Sequence, residues 1–429
     1  MAVRLEKALE LLRSWPAFRV FRHADFRLLW FGALISFTGS QIQMVAQGAY
    51  VYEVTGRKTA LALVAVFGML PVTILSPVMG AVVDLFDRRK IIILTSIALF
   101  LATAYNAYGA STHTLTIMQI YAVALIGGFV QTVEPTSRQT IVREVVGDQD
   151  LAQAVPLQAM TFNIAKSIGP AIGGILTSAF GFATCFWANS ISFLAMTFAA
   201  MAIKTKTEKS ERRPQPIKDL IFEGMLFTMR NPSLRMLFLM EGALSLFGMP
   251  YFFQMPAIAK DFFHLDEAGL GVCYTANGLG ALTGLITIAT LSVRPIKTRI
   301  VRNAMSTFAV ALAALCVTRN FALALPLFAI LGACSISMFN TTNTLFQLIS
   351  PGQLRGRVLS MHLWAIAGLA PLGNLWMGWI ADAFGLPVAL GIGGACVAAG
   401  AVLAFANRKK LIEPVVVSEP VEREGGGAR

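Results

Sequence analysis

Twelve apolar runs, each long enough to cross a bilayer as a helix, limit what this sequence can fold into. They lie near 28–52, 60–83, 91–110, 115–137, 151–180, 182–203, 234–258, 268–292, 300–319, 321–349, 358–384 and 386–406. A helix rises about 1.5 Å per residue, so about 20 apolar residues span the hydrocarbon core. Lipid offers no partners to an unpaired backbone group, which makes helices the form such runs take. The chain is 56% hydrophobic and only 14% charged, and a soluble protein of 429 residues cannot hide that much apolar surface. The expectation is an all-α integral membrane protein of twelve transmembrane helices. The order is six, linker, six: a cytoplasmic N-terminal segment 1–26, a bundle 27–203, a cytoplasmic linker 204–233, a second bundle 234–406 and a flexible cytoplasmic tail 407–429. Residues before Phe26 are charged and amphipathic with no apolar core, so no cleavable signal is expected.

Charge placement sets the orientation. Of the 35 lysines and arginines, 30 fall on segments that lie on the same side as both termini. The opposite loops hold Arg57, Lys58, Lys260 and Arg319, and Lys166 lies inside a run. That bias predicts cytoplasmic termini in a cell inner membrane. It also assigns the net charge of +12 to anionic lipid headgroups and removes nucleic acid as an expected partner. All five cysteines fall in apolar runs without paired spacing, so neither disulfide nor metal is expected, and no cofactor is implied.

The two halves repeat weakly. At an offset of 204 residues Gly80 meets Gly284, Gly169 meets Gly373 and Gly174 meets Gly378, and Ala179-Phe180-Gly181 matches Ala383-Phe384-Gly385. Two parallel six-helix repeats imply a substrate site at their interface and rocking of one half on the other. No phosphate-binding loop occurs, so ATP is not the expected energy source.

Lys166 is the charge that this reading must explain. It lies in the middle of the 151–180 run, within Asn163-Ile-Ala-Lys166-Ser-Ile-Gly169-Pro170-Ala-Ile-Gly173-Gly174. A lysine at the bilayer centre costs about 2.5–3.5 kcal/mol on the insertion scale. Helical spacing puts Asn163, Lys166, Gly169, Pro170 and Gly173 on one face. Small residues there allow close helix approach, and the ammonium must face protein or water. The expectation is a cavity-lining helix; the alternative is a lysine paired structurally inside the bundle. Lys166 has Ala370 as its counterpart, so this charge belongs to the first half alone.

Gly80-Ala-Val-Val-Asp84-Leu85-Phe86-Asp87-Arg88-Arg89-Lys90 follows the second run. This loop resembles the signature of the major facilitator superfamily, in which a glycine, an aspartate and basic residues latch the cytoplasmic gate. The resemblance implies gate roles for Gly80, Asp84, Arg88 and Arg89; the alternative for the basic residues is topological anchoring. Leu85 departs from the pattern, which usually has a basic residue there. Asp25-Phe26-Arg27, Gly39, Val45-Ala46, Thr55-Gly56, Leu70-Pro71, Pro77, Asp87, Asn231-Pro232, Leu354-Arg355-Gly356-Arg357-Val358, Pro371-Leu372-Gly373 and Ala381–Gly385 are similar to the enterobactin-exporter-like branch, which includes transmembrane secretion effectors and drug efflux proteins. Gly169-Pro170-Ala171-Ile172-Gly173-Gly174 resembles the G-P-x-x-G-G core of proton-coupled antiporters. It implies gating by Gly169, Pro170, Gly173 and Gly174, where the proline weakens a turn and the glycines allow tight packing. In the same branch an arginine commonly stands at the Lys166 position.

Intramembrane acids and amides complete the candidates. Glu241, about 10 Å along the seventh helix, lies outside the branch pattern and is the first choice for a proton site; Glu134 is the second, within reach of Lys166 or Arg138, with Arg138 favoured because Lys166 lies deeper. Asp382 reads as a cap or latch, and His362 as a structural histidine, with a titrating one as the alternative. Gln41, Gln43, Gln47, Gln131, Asn340, Asn343 and Gln347 divide between interhelical bonding and ligand contact. With Lys166 and Asn163, the assigned substrate or coupling residues are Glu241, Glu134, Gln47, Gln131, Asn340 and Asn343. The resemblance implies a secondary transporter of the major facilitator fold, working as a monomer. The expected activity on that resemblance is export of an amphipathic small molecule (a siderophore, drug or secondary metabolite) in exchange for protons. An importer or lysolipid flippase on the same fold is the alternative; a membrane-embedded enzyme or sensor is more remote, since no zinc-protease or nucleophile-elbow motif is seen.

Overall fold

The computed structural model describes residues 19–83, 86–205, 217–291, 296–351 and 354–411, and all regular structure among them is helical. The first half comprises α1 (Ala24–Thr55), α2 (Lys58–Val83), α3 (Arg88–Ser111), a 64-residue element Ile117–Phe180 and α6 (Phe182–Ala202). The long element is two spans. Gly147 breaks it at φ 71°, a left-handed conformation that suits glycine, into α4 (Ile117–Gly147) and α5 (148–180). In the second half, α7 (Ile217–Arg230) precedes α8 (Pro232–Ala243), α9 (Met255–Phe263), α10 (Glu267–Leu291), α11 (Lys297–Val317) and α12 (Phe321–Ile349). α13 (Arg355–Leu363), α14 (Ala370–Phe384) and α15 (Leu386–Ala406) close it. Among the described residues ten helices are long and apolar enough to span, and the pair Pro232–Phe252 and Met255–Phe263, bent by 53°, makes an eleventh. α5 is the twelfth, less apolar because it carries Asn163 and Lys166.

Four sequence expectations change. The fourth span does not stop near 137: α4 runs on to Gly147, its first turn fixed by a capping box between Thr116 and Gln119. The polar linker contains a helix, α7, whose Glu223 pairs with Arg357 at the start of α13. The seventh span is broken, passing from α8 through a π turn at Leu244–Gly248 and a 3-10 turn at Met249–Phe252 before α9. The eleventh also contains a π turn, Trp364–Gly368, between α13 and α14. Periodicity reports an apolar run but not a local change of winding within it.

The outside of the bundle is apolar, as a lipid-facing surface requires: Phe31, Leu101, Ile175, Phe198, Val310 and Val402 are all exposed. Inside, packing divides the two ends. At the end where the described chain starts and stops, Phe26, Leu29, Ile92, Ile141 and Met196 form a core of the first half alone. At the far end Val45, Tyr52, Leu61 and Leu115 join a continuous core with Tyr251, Met255, Phe328 and Leu390 of the second half. The halves are therefore sealed together at the far end. The repeat glycines account for much of this. A Cβ on Gly169 would lie 2.5 Å from the Gln41 Cβ of α1, and one on Gly373 would lie 2.7 Å from the Leu246 carbonyl, so each packs its helix on the first span of its own half. Gly174 and Gly378 cross to the other half, against Glu267 and Gly271 of α10 and against Lys58 and Thr59 of α2.

Candidate functional site

A cavity of about 1400 Å³ lies between the halves. It reaches from Arg88 and Arg143 at the termini end to Lys166, Met249 and Phe252 deeper in, below the sealed far end. Its wall mixes amides, including Gln41, Gln43, Gln47, Gln131 and Gln158, with aromatic and thioether groups such as Phe37, Phe162, Phe253, Met44 and Met69. Such a lining suits a ligand that is part apolar and part polar.

α5 brings Lys166 into this cavity. Its carbonyl lies against Gly278 of α10, and the ammonium stands 5.4 Å from the ring centroid of Phe252 in the second half, within cation–π range. No carboxylate among the described residues pairs with it. Glu134, the acid on the same wall, is taken by Arg138 at 3.4 Å, and the Arg138 guanidinium also stacks 4.4 Å from the Phe37 ring. Arg88 pairs with Glu144 at 2.5 Å. The Lys166 charge therefore faces the cavity with a π face and amides around it, an arrangement that attracts an anionic group.

The expected site residues divide. Lys166, Glu134, Gln47 and Gln131 line the cavity together with Arg88. Gln43 lines it too but is bound into the wall, donating to Gln47 at 3.1 Å and accepting from Asn189 at 2.7 Å. Asn163 points back to the Ala159 carbonyl of its own helix, Asn340 likewise bonds to Ile336, and Asn343 bonds Gln347. None of these three lines the cavity. Glu241 is fully buried and also off the cavity, with its carboxylate 2.9 Å from His362 Nδ1. His362 is thus a partner that nothing near Glu241 in the sequence signals. Arg89 donates to the Ala200 and Met201 carbonyls that end α6. Gly169, Gly173 and Gly174 are contact points, Pro170 offers its carbonyl to the Gly271 approach, Gly80 lies within α2, and Asp84 falls outside the described residues.

The far-end closure also contains polar groups. Asp382, at the end of α14, accepts from Lys58 N at 2.8 Å and Thr59 N at 2.9 Å, capping α2 from the opposite half. The Lys58 ammonium is 3.1 Å from Asp261, which also accepts from the Tyr52 hydroxyl at 2.6 Å. Gln254 donates to the Lys58 carbonyl at 3.1 Å. On the pseudo-symmetric side Ser178, the repeat counterpart of Asp382, donates to Asp266 at 3.4 Å. Only the repeat offset hinted at this relation.

Residues 16–419 match the family model described as transmembrane secretion effector. The multidrug efflux pump Tap of Mycolicibacterium fortuitum is 26% identical over 368 residues, 84% of this chain and 90% of Tap. The staphyloferrin A transporter of Staphylococcus aureus is 26% identical over 390 residues, 88% of this chain and 95% of the relative. The enterobactin exporter of Citrobacter koseri is 24% identical over 388 residues, covering 90% of this chain and 87% of that one. In fold, the chain is similar to the nucleoside transporter NupG, with a TM-score of 0.73 at 13% identity over 90% of this chain and 99% of that one. A bacterial homologue of the iron transporter ferroportin in its inward-facing state gives 0.71 at 14% identity over 89% and 98%.

Proposed function

From the membership of this chain in the transmembrane secretion effector family of major facilitator transporters, we propose that it exports an amphipathic organic anion by alternating access, driven by protons. The observation that carries this reading is Lys166, a cation without a carboxylate partner among the described residues, set in a cavity walled by amides and aromatic rings. The Lys/Arg bias supports cytoplasmic termini, and on that orientation the cavity opens inward and the sealed end faces outward. In that state a solute enters from the cytoplasm, its anionic group meets Lys166 and its apolar part lies against Phe252, Phe253 and Met249. Closure at the inner end and release of the Lys58, Asp261 and Asp382 contacts then expose it to the outside. The relatives' names, one multidrug pump and two siderophore carriers, support export and leave drugs and siderophores as the solutes to try first.

The experiment is uptake into inside-out vesicles with an acidic interior, using enterobactin, staphyloferrin A and ethidium as probes. Uptake of an anionic probe that collapses with the proton gradient, and that Lys166→Ala lowers, supports the reading. Movement only outward from such vesicles would overturn export, and unchanged anion uptake by Lys166→Ala would remove Lys166 from recognition.

A further inference from the structure

Glu241 and His362 form a buried acid–base pair outside the cavity, one turn before a π turn in each of two neighbouring spans. Glu241 comes just ahead of Leu244–Gly248, and His362 just ahead of Trp364–Gly368. A π turn widens the helix and breaks its regular bonding, leaving carbonyls open to other donors. Here Ser245 Oγ, in the first π turn, donates to the Ile366 carbonyl in the second at 2.5 Å. The Ala367 carbonyl accepts from Thr73 of α2, in the opposite half, at 3.2 Å. Ser245, Ile366 and Ala367 all line the cavity. Along both spans the pair thus adjoins a piece of wall where the two π turns, the other half and the solute space meet.

Among the described residues few other charges reach it, and Arg408, Lys409 and Lys410 of the short turn packed on α8 are all exposed. α12 carries no acid or base and presents Phe346, whose ring is 5.5 Å from the His362 ring. α15 is likewise uncharged. On α13 Arg357 pairs with Glu223 of α7 and Arg355 is exposed, and on α8 Arg235 is exposed. On α7 Arg230 is exposed as well. The pair's charge is consequently set by its own protons. With one shared proton it is neutral overall and tolerates full burial. Without that proton it holds a net negative charge whose desolvation costs several kcal/mol.

We propose that the Glu241–His362 pair is the proton-binding site of the transport cycle, separate from the solute cavity, and that it acts through the two π turns. The inference rests on the reading of the chain as a proton-driven exporter. With its proton the pair is shut in as in this structure, the π turns stay packed and the far end stays closed. Loss of the proton toward the cytoplasm leaves a buried anion, which loosens α8 from α13 and shifts the π-turn wall and its Thr73 contact. The balance then moves toward far-end opening. Proton and solute occupy different residues and exclude one another through conformation, not through competition for Lys166.

The test reads conformation without any solute. Nitroxide labels at Val54 and Val317, exposed at the far ends of α1 and α11, report the separation of the halves in protein whose five native cysteines are serine. Between about pH 5 and 8 the wild-type arrangement should shift toward longer distances as pH rises, by about tenfold in the open-to-closed ratio. Glu241→Gln, which keeps shape and neutrality, should stay in the short-distance state throughout, and His362→Gln should displace the midpoint by about one pH unit or more. A wild-type distribution indifferent to pH, or a Glu241→Gln protein with the wild-type response, would overturn the proposal. A wild-type protein that responds to pH, with the response abolished in Glu241→Gln, but that drives no probe across vesicles would instead defeat the transport reading and leave the pair as a proton switch.

Discussion

Asp382 closes the N-terminus of the helix that Lys58 begins, although the two lie in opposite halves: its carboxylate accepts from both Lys58 N and Thr59 N. Those two N–H groups have no partner within their own helix, so the cap satisfies them only while the halves touch. A helix cap thereby becomes a lock on one conformation.

Asp382→Ala should weaken that lock. A capping residue contributes about 1 kcal/mol, which is roughly a fivefold change in a two-state ratio. Far-end distances between nitroxides at Val54 and Val317 should lengthen at fixed pH, with Asp382→Asn intermediate because its amide oxygen still accepts. An unchanged distribution would show that Asp261, Tyr52 and the apolar core close the far end without it.

Gly173 and Gly174 should separate stability from switching. A Cβ on Gly173 meets the Ile42 carbonyl at 2.9 Å inside the first half, whereas one on Gly174 meets the Glu267 carbonyl at 2.6 Å across the halves. Overpacking costs about 1–3 kcal/mol. Gly173→Ala is expected to lower the unfolding temperature, while Gly174→Ala mainly opens the far end and slows transport. Thermal melts and distance distributions on the same two proteins check this; equal losses of melting temperature would contradict the division.

Lys166 should control solute affinity by charge more than by shape. Lys166→Ala is expected to raise the half-saturating concentration of an anionic probe at least about tenfold, or about 1.4 kcal/mol. Lys166→Arg, which keeps the cation over Phe252, should lose much less. Transport of a neutral or cationic probe should respond in neither variant. An alanine variant that lowered all probes alike would point to damage to the α5–α10 contact instead.

Arg88 sits buried at the termini end with Glu144 of α4 at 2.5 Å. Breaking a buried pair costs up to about 3–5 kcal/mol, and less where the remaining carboxylate keeps solvent access, as Glu144 does. Arg88→Ala should therefore melt earlier, and the double change Arg88→Met with Glu144→Met should regain much of the loss. If the single variant melts normally but transports poorly, gating is the larger role.

The partner of His362 is not legible in the sequence. His362 follows Arg355, Arg357 and Ser360, and nothing near it in the sequence signals Glu241, which lies 121 residues away and only 3.0 Å distant in space. The π turns were hidden for a related reason, since both windings give equally apolar runs. Asn340 and Asn343 read as solute-site residues because amides in hydrocarbon need partners; the structure gives them partners on their own helix, which hydropathy cannot distinguish from a cavity.

The sequence by itself determined the spans, the uneven distribution of basic residues, the glycine repeat that sets helix against helix, and the lysine in mid-membrane. Each of these is fixed by lengths, counts and spacings along one chain, because lipid demands apolar length and close packing demands small residues at helical intervals. Only the tertiary structure decided that Lys166, with Glu134 paired to Arg138 as its spacing suggests, faces the cavity. It also decided that Glu241 meets His362 off the cavity, and that Asp382 reaches Lys58 across the halves. Those pairings depend on which faces of distant helices come together, and a buried charge or an open helix end takes whichever partner the packed bundle brings within reach.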